Sequence, residues 1–370
     1  MAGASKKRDR WDSSSEEEND AKESKEPQLA KKKDTKKDSL PTHNPLLSGC
    51  RSVYDTYERL ARVSEGTYGI VYRAKDLATQ EIVALKQIKF DKEMIKEGFP
   101  LSALREVSVL LAMSHENVVN VREMVVGDAL DQVFMVMEFM EFDLKEGLSR
   151  FRDALAQSEL KSILLQIVAG MQHMHSKWLL HRDMKTSNIL VHRSGRVCLC
   201  DFGLARSYQE PQLQQLTQLV VTLWYRSPEL LFGETRYGPA VDMWSIGCIF
   251  GELICKDSIM QGQGELDQID KIFEMVGVPT EENWPLFKKL PNAGLLRWKP
   301  RKREDLLIFQ KFPVNKPVSS TQAFLDVNGF DLLRKLLTLN PKQRITADDA
   351  MQHPYFKEGV KPKTPRFFCE

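Results

Sequence analysis

The chain has 370 residues, 42% of them apolar and 28% charged, and a formal net charge of +2. That is the make-up of a globular chain large enough for a two-lobed domain plus tails, and so small a charge excludes a global pull toward nucleic acid or membrane. The six scattered cysteines (Cys50, Cys198, Cys200, Cys248, Cys255, Cys369) lack the C-x-x-C pairs of a zinc site and read as reduced thiols.

Residues 1–48 are read as a disordered charged tail, because few large apolar side chains are present to offset chain entropy. Lys6-Lys7-Arg8, Lys31-Lys32-Lys33 and Lys36-Lys37 form basic blocks, and Glu16-Glu17-Glu18 an acidic one. Short basic blocks of this kind serve as nuclear import signals, so the expected location is the nucleus, with the cytoplasm as a second compartment. The charged N-terminus is no secretory signal. The apolar run Trp244–Cys255 is too short to span a bilayer and contains Glu252. A soluble, intracellular protein is expected, with no membrane contact and no direct nucleic-acid binding.

From Tyr54 the texture changes. Short β-rich runs broken by glycine, including Gly69-Ile-Val-Tyr72 and Ile82-Val-Ala-Leu-Lys86, lead into a helical pattern over about 100–113. There Leu101, Leu104, Val107 and Leu111 recur at three and four. Val133–Met137 reads as a further strand. Beyond Asp143, helices are expected near 158–176, 240–255, 267–276 and 329–338. The fold class is α+β: a small β-rich lobe over about 54–140, a larger helical lobe over about 141–357, and a tail at 358–370.

The chemistry-bearing residues follow this order. Arg62–Val71 reads R-V-S-E-G-T-Y-G-I-V; glycines at 66 and 69 let a backbone lie close over phosphates, or simply turn a hairpin. No G-K-[ST] follows, which excludes a Walker A loop. On the next strand Ala84 and Lys86 share a face, the alanine leaving room for a flat base. Glu106, on the following helix, can hold the Lys86 ammonium so that it is aimed at α- and β-phosphates. His181-Arg182-Asp183-Met184-Lys185-Thr186-Ser187-Asn188 places three reactive groups in one loop. Asp183 can accept a hydroxyl proton, Lys185 can neutralise a migrating phosphoryl group, and Asn188 can hold a cation. Asp201-Phe202-Gly203 adds a second hard oxygen ligand suited to Mg²⁺. His181 is read as a packed structural residue rather than a base.

Together with Ser227-Pro228-Glu229, these motifs resemble the signature set of eukaryotic protein kinases, in order, over roughly residues 54–357. The resemblance implies the two-lobed kinase fold and ATP-dependent phosphorylation of protein serine or threonine. It implies an ATP site at Val63, Ser64, Glu65, Gly66, Thr67, Tyr68, Gly69, Ile70, Val71, Lys86, Glu106, Glu138, Met140 and Asp143. Asp183 and Lys185 become the catalytic pair, Asn188 and Asp201 the metal ligands, and Met137 the gatekeeper. Ser64 departs from the pattern, standing where the first loop glycine is expected.

Finer features resemble cyclin-dependent kinases, closest to the PITSLRE subgroup: Phe99-Pro-Leu-Ser-Ala-Leu-Arg-Glu106, Val221-Thr-Leu-Trp-Tyr-Arg226 and Asp242-Met-Trp-Ser-Ile-Gly-Cys248. That implies a cyclin subunit bound at the Phe99–Glu106 helix region, which without cyclin would rotate away and leave Lys86 unpaired. It implies an activating phosphate on Thr217 clamped by Arg105, Arg182 and Arg206, and inhibitory phosphates on Thr67 and Tyr68. Val220-Val221-Thr222 with Arg226 further implies preference for proline after the acceptor. A mitogen-activated protein kinase would carry T-x-Y between Asp201 and Glu229, and none occurs there. A catalytically dead scaffold would lack one of Lys86, Asp183, Asn188 or Asp201, and all four are present.

Overall fold

The computed structural model describes residues 50–66, 69–88, 101–129, 132–150, 155–210, 215–217, 221–294, 302–318 and 320–365, the side chains of 65, 66, 101–103 and 105 excepted. The expected tail at 1–48, Thr67, Tyr68, Phe99, Pro100, Val220 and the Arg105 side chain therefore lie outside the described residues.

The small lobe is one six-stranded sheet in the order β1-β5-β6-β4-β3-β2. Its strands are β1 (Arg51–Ser52), β2 (Tyr57–Gly66), β3 (Gly69–Asp76), β4 (Ile82–Ile88), β5 (Val121–Val126) and β6 (Val133–Glu138). Only β1 runs parallel to its neighbour, Arg51 lying opposite Val125. Alternation sorts β4 into two faces. Val83 and Leu85 join Tyr57, Tyr72, Val125, Phe134 and Val136 in an apolar cluster, while Ala84 and Lys86 face the cleft below.

Helix α2 (Leu101–Ala112) departs from the expected apolar stripe. Glu106, Val109, Leu110 and Met113 are buried, whereas Leu104 is 45% and Leu111 70% exposed. The turn that points Glu106 inward necessarily swings those two leucines outward. The face that sequence spacing marks as core is thus partly a solvent-facing apolar surface.

The large lobe is built on α4 (Gln157–Ser176) and α6 (Ala240–Cys255). Helix α6 is apolar nearly all round and is buried from Val241 to Ile254, as a central core helix must be. Two short strand pairings, β9 (Ile189–Val191) with β10 (Val197–Leu199) and β8 (Leu179–Leu180) with β11 (Arg206–Ser207), bracket the loops at 181–188 and 200–205. Helix α9 (Val327–Leu336) is capped by Asp326, which accepts from the Gly329 amide at 2.7 Å. Among the described residues no helix is long and apolar enough to cross a membrane.

Candidate active site

Between the lobes lies a cavity of about 400 Å³, within the range that holds a small-molecule ligand. Val63, Ser64, Gly69 and Val71 line its roof, Ala84 and Lys86 its upper wall, and Met137 to Phe142 its back edge. Asp143, Lys185, Asn188 and Asp201 close it from below. Ile70 instead packs on the outer cluster of the sheet, on the other side of its strand. Gly69 owes its identity to the sheet: a Cβ there would fall 2.1 Å from the Gln87 carbonyl oxygen. A larger hollow of about 660 Å³, between Trp284 and Arg344, contains none of the expected ATP-site or catalytic residues.

Lys86 Nζ donates to Glu106 Oε1 at 2.6 Å, both side chains largely buried. Burial works against the ammonium charge, but Glu106 and then Asp201 outweigh it and raise the Lys86 pKa above the ordinary value. The helix thus stands in its inward position, with Lys86 paired to Glu106. Asp201 sits at φ +65° with its Oδ1 buried and, among the described residues, without a hydrogen-bond partner. Leaving a carboxylate oxygen so is costly unless a cation or donor meets it. Asn188 spends its amide nitrogen on the Asp183 carbonyl at 2.8 Å and Asp183 Oδ2 at 3.2 Å, so its amide oxygen is the atom it can offer. The two hard oxygens beside Lys86 fit a divalent cation carrying phosphates.

Asp183 is 7% exposed. Its Oδ2 accepts from Lys185 Nζ at 2.7 Å and its Oδ1 from the Thr222 amide and hydroxyl at 3.2 and 3.1 Å. With Asn188 these bonds fill the four positions a carboxylate offers. His181 is fully buried, its Nε2 at 3.0 Å from the Cys200 carbonyl and its Nδ1 accepting from the Asp183 amide. In the hinge, the Glu138 side chain pairs with Arg196. Asp143 Oδ1 accepts from the Glu146 amide at 2.9 Å, and burial raises the Asp143 pKa despite that bond.

Thr217 is exposed, and its carbonyl accepts from Tyr237 Oη at 2.6 Å. Arg182, 2% exposed, donates to that same Tyr237 hydroxyl at 2.9 Å and to the Leu204 carbonyl at 2.8 Å. Arg206 lies close enough to lower the Tyr237 pKa against the rise caused by burial. Two of the three expected clamp arginines thus gather around the tyrosine that anchors Thr217. Val221 stands at φ +68°, a costly conformation for a β-branched residue. Its carbonyl is held by Arg226 Nε and Nη2 at 3.3 and 3.1 Å.

Several supporting residues escaped the sequence reading. Asp242 accepts from the His181 and Arg182 amides at 3.0 and 2.9 Å and lies 3.0 Å from His175 Nε2, so it fixes the start of the catalytic loop. Glu252 accepts from Thr186 Oγ1 at 2.9 Å and Tyr225 Oη at 2.7 Å, joining that loop to the Thr222–Arg226 segment. The signal was available, since a carboxylate inside an apolar helix must find donors.

Protein comparisons agree with this geometry. The protein kinase domain family matches residues 57–356, and the chain belongs to that family. Its relatives there carry the names of cyclin-dependent and serine/threonine kinases. Cyclin-dependent kinase G-2 of Oryza sativa subsp. indica is 49% identical over 323 residues, 87% of this chain and 44% of the relative. Cyclin-dependent kinase 11B of Rattus norvegicus is 45% identical over 332 residues, 90% of this chain and 73% of the relative. Serine/threonine-protein kinase ppk23 of Schizosaccharomyces pombe is 46% identical over 329 residues, 89% of this chain and 79% of the relative. The chain spans less than half the length of the rice relative.

Proposed function

We propose that this chain is a cyclin-dependent serine/threonine kinase that transfers the terminal phosphoryl group of ATP to protein hydroxyls. The observation that carries this reading is the meeting of Lys86–Glu106, Asp183, Lys185, Asn188 and Asp201 in and beside one cavity. Lys86, steadied by Glu106, orients the α- and β-phosphates. Asn188 and Asp201 hold the divalent cation, Mg²⁺ in our reading, which neutralises phosphate charge when bound. Backbone groups of Glu138 and Met140 bind the adenine, Asp143 the ribose, and residues 63–71 cover the phosphates. The acceptor hydroxyl enters by displacing the Thr222 hydroxyl from Asp183 Oδ1. As its oxygen bonds the terminal phosphorus and the bond to the bridging oxygen breaks, Asp183 takes the proton and ADP leaves. Lys185 balances the charge on the migrating group.

The Val221 carbonyl, turned away and held by Arg226, offers no acceptor to a substrate amide. This favours proline after the acceptor, where no amide hydrogen exists. Exposed Leu104 and Leu111 on the outer face of the Glu106 helix supply an apolar surface for a cyclin, with the Phe99–Glu106 region as its core. Thr217 phosphate would be clamped by Arg182, Arg206 and Arg105, while phosphates on Thr67 or Tyr68 would repel ATP. The basic blocks near the N-terminus support nuclear import. Transcription and RNA processing is the favoured setting, with cell-cycle control second.

The test is to purify the chain with its co-purifying cyclin and follow transfer of labelled phosphate to Ser-Pro and Ser-Ala peptides. Transfer to Ser-Pro with Mg²⁺ is expected. No transfer to any hydroxyl removes the activity, and equal use of both peptides removes the proline preference alone.

A further inference from the structure

The last described stretch of chain lies across the back of the helical lobe, far from the cavity in sequence but linked to it through the hinge. Lys161 Nζ donates to the Glu358 carbonyl at 2.8 Å, and the Lys363 amide donates to the Ser158 carbonyl at 3.0 Å. Thr364 and Pro365 then cover the β9–β10 turn at Gly195. That residue has φ +81°, and a Cβ on it would fall 2.2 Å from Thr364 Cγ2 and 3.2 Å from Pro365 Cδ.

The same turn holds both carboxylates of the hinge. Arg193 Nε lies 3.2 Å from Glu141 Oε1, and its amide donates to Glu141 Oε2 at 2.6 Å. Arg196 pairs with Glu138 through Nη2, and its Nη1 donates to the Glu116 carbonyl, just after helix α2, at 3.3 Å. Tail, turn and hinge are therefore in contact in series.

The sequence contains two Ser/Thr-Pro steps, Ser227-Pro228 and Thr364-Pro365. Ser227 is fully buried and out of reach of any kinase. Thr364 is exposed, in irregular backbone, and its hydroxyl has no partner among the described residues. Lys361, Lys363 and Arg366 flank it.

We propose that Thr364 is a phosphoacceptor for proline-directed kinases, and that its phosphate draws Arg193 and Arg196 away from Glu141 and Glu138. A second copy of this chain is one such kinase, given the function proposed above. In the modification, Thr364 Oγ1 bonds the terminal phosphorus of ATP and the bond to the bridging oxygen breaks. ADP leaves, and the hydroxyl proton passes to the modifying kinase's carboxylate. The product carries a charge of about −1.5 to −2 beside the turn, and phosphate competes strongly with carboxylate for guanidinium. Loss of the two hinge pairs loosens the segment that positions adenine, so the KM for ATP rises.

The test uses the full Asp183→Asn chain with its cyclin, whose own labelling is slowed about 10²–10⁴-fold and is subtracted with a sample given ATP alone. One portion is incubated with ATP and the wild-type complex, another with ATP and a mitogen-activated protein kinase, each with a Ser-Pro control peptide. Mass spectrometry is expected to find phosphate on Thr364 in both, lost in a Pro365→Ala chain. In the wild-type complex, Thr364 phosphorylation should raise the KM for ATP about two- to five-fold, the scale of part-exposed ion pairs. It should also speed amide exchange at 192–196 and 138–141. Thr364→Ala should keep the unmodified KM and abolish the response.

No phosphate at Thr364 from either kinase, with the control peptide labelled, overturns the site. A labelled Thr364 with unchanged KM and exchange overturns the link to the hinge. If the wild-type complex labels neither substrate while the other kinase labels Thr364, the proposed activity fails and the site stands.

Discussion

Each lobe buries an ion pair, and the two are finished differently. In the large lobe the Arg344 guanidinium meets Glu229 through two bonds of 2.7 and 2.9 Å. Its remaining N–H groups reach the Thr338, Ala240 and Leu339 carbonyls at 2.9, 2.6 and 3.1 Å, and it lies 5.1 Å over the Trp244 ring. All five donors are spent, so the pair can do nothing but hold the Ser227–Glu229 segment to the lobe. In the small lobe Lys86 has one short bond to Glu106 and faces a cavity that also contains the unpartnered Asp201 oxygen. An ammonium has three donors, and those left over face where phosphates would lie. Of these two pairs, the saturated one is structural and the incomplete one keeps donors for the cavity.

The largest test of that contrast is to cut each working group and watch activity and folding separately. Asp183→Asn is expected to lower turnover by about 10²–10⁴-fold, the usual share of a general base, and Lys86→Met to leave no useful transfer. Both should keep the wild-type circular dichroism, although Lys86→Met, which strands the buried Glu106 carboxylate, should also lower the thermal transition. Near-normal turnover in a clean Asp183→Asn preparation would remove the assigned base.

Arg344→Ala should behave in the opposite way. It strands a buried carboxylate, which costs roughly 3–5 kcal/mol, read as a lower urea midpoint at unchanged slope. Turnover per folded molecule should stay within a few-fold of wild type. A stable variant with lost turnover would mean that this pair, too, belongs to the chemistry.

A smaller effect is expected on the outer face of helix α2. Leu111 is 70% exposed, so Leu111→Asp should leave the chain's own stability within about 0.5 kcal/mol. It should weaken capture of the cyclin by about 1–2 kcal/mol, measured by titration of the purified subunit. Equal affinity in the variant would place the cyclin elsewhere.

How much of this was legible beforehand depended on whether one residue or a convergence carried the information. Lys86, Asp183, Asn188 and Asp201 could be read from spacing because each motif is local, and the strand alternation at Ala84 and Lys86 is a two-residue fact. The orientation of α2 was not legible: periodicity identifies an apolar face but not whether protein or solvent meets it, and Leu104 and Leu111 meet solvent. Gly69 could serve phosphates or a hairpin turn, and only the paired strand shows that the Gln87 carbonyl demands it. Asp242 and Glu252 needed partners from loops many residues away. Sequence could say that such carboxylates require donors, but not which ones.

The gentlest test concerns Asp242, which lies at the base of the catalytic loop. Burial pushes its carboxyl up, but the His175 bond, the neighbouring His175 and His181 imidazoles and the Arg182 amide outweigh that and hold it below its ordinary 3.8. A group depressed in the folded state stabilises the fold above its unfolded value, and that contribution fades as pH falls through the folded one. Urea midpoints should therefore hold between about pH 7 and 5 and decline below about pH 4. Asp242→Asn should lower stability at neutral pH and flatten the acid decline, because the substituted amide no longer takes up a proton. It also forces a donor toward amides that need an acceptor, so turnover should fall alongside. A variant with the full wild-type acid slope would assign that slope to other carboxylates and leave Asp242 with a purely geometric role in holding His181 and Arg182.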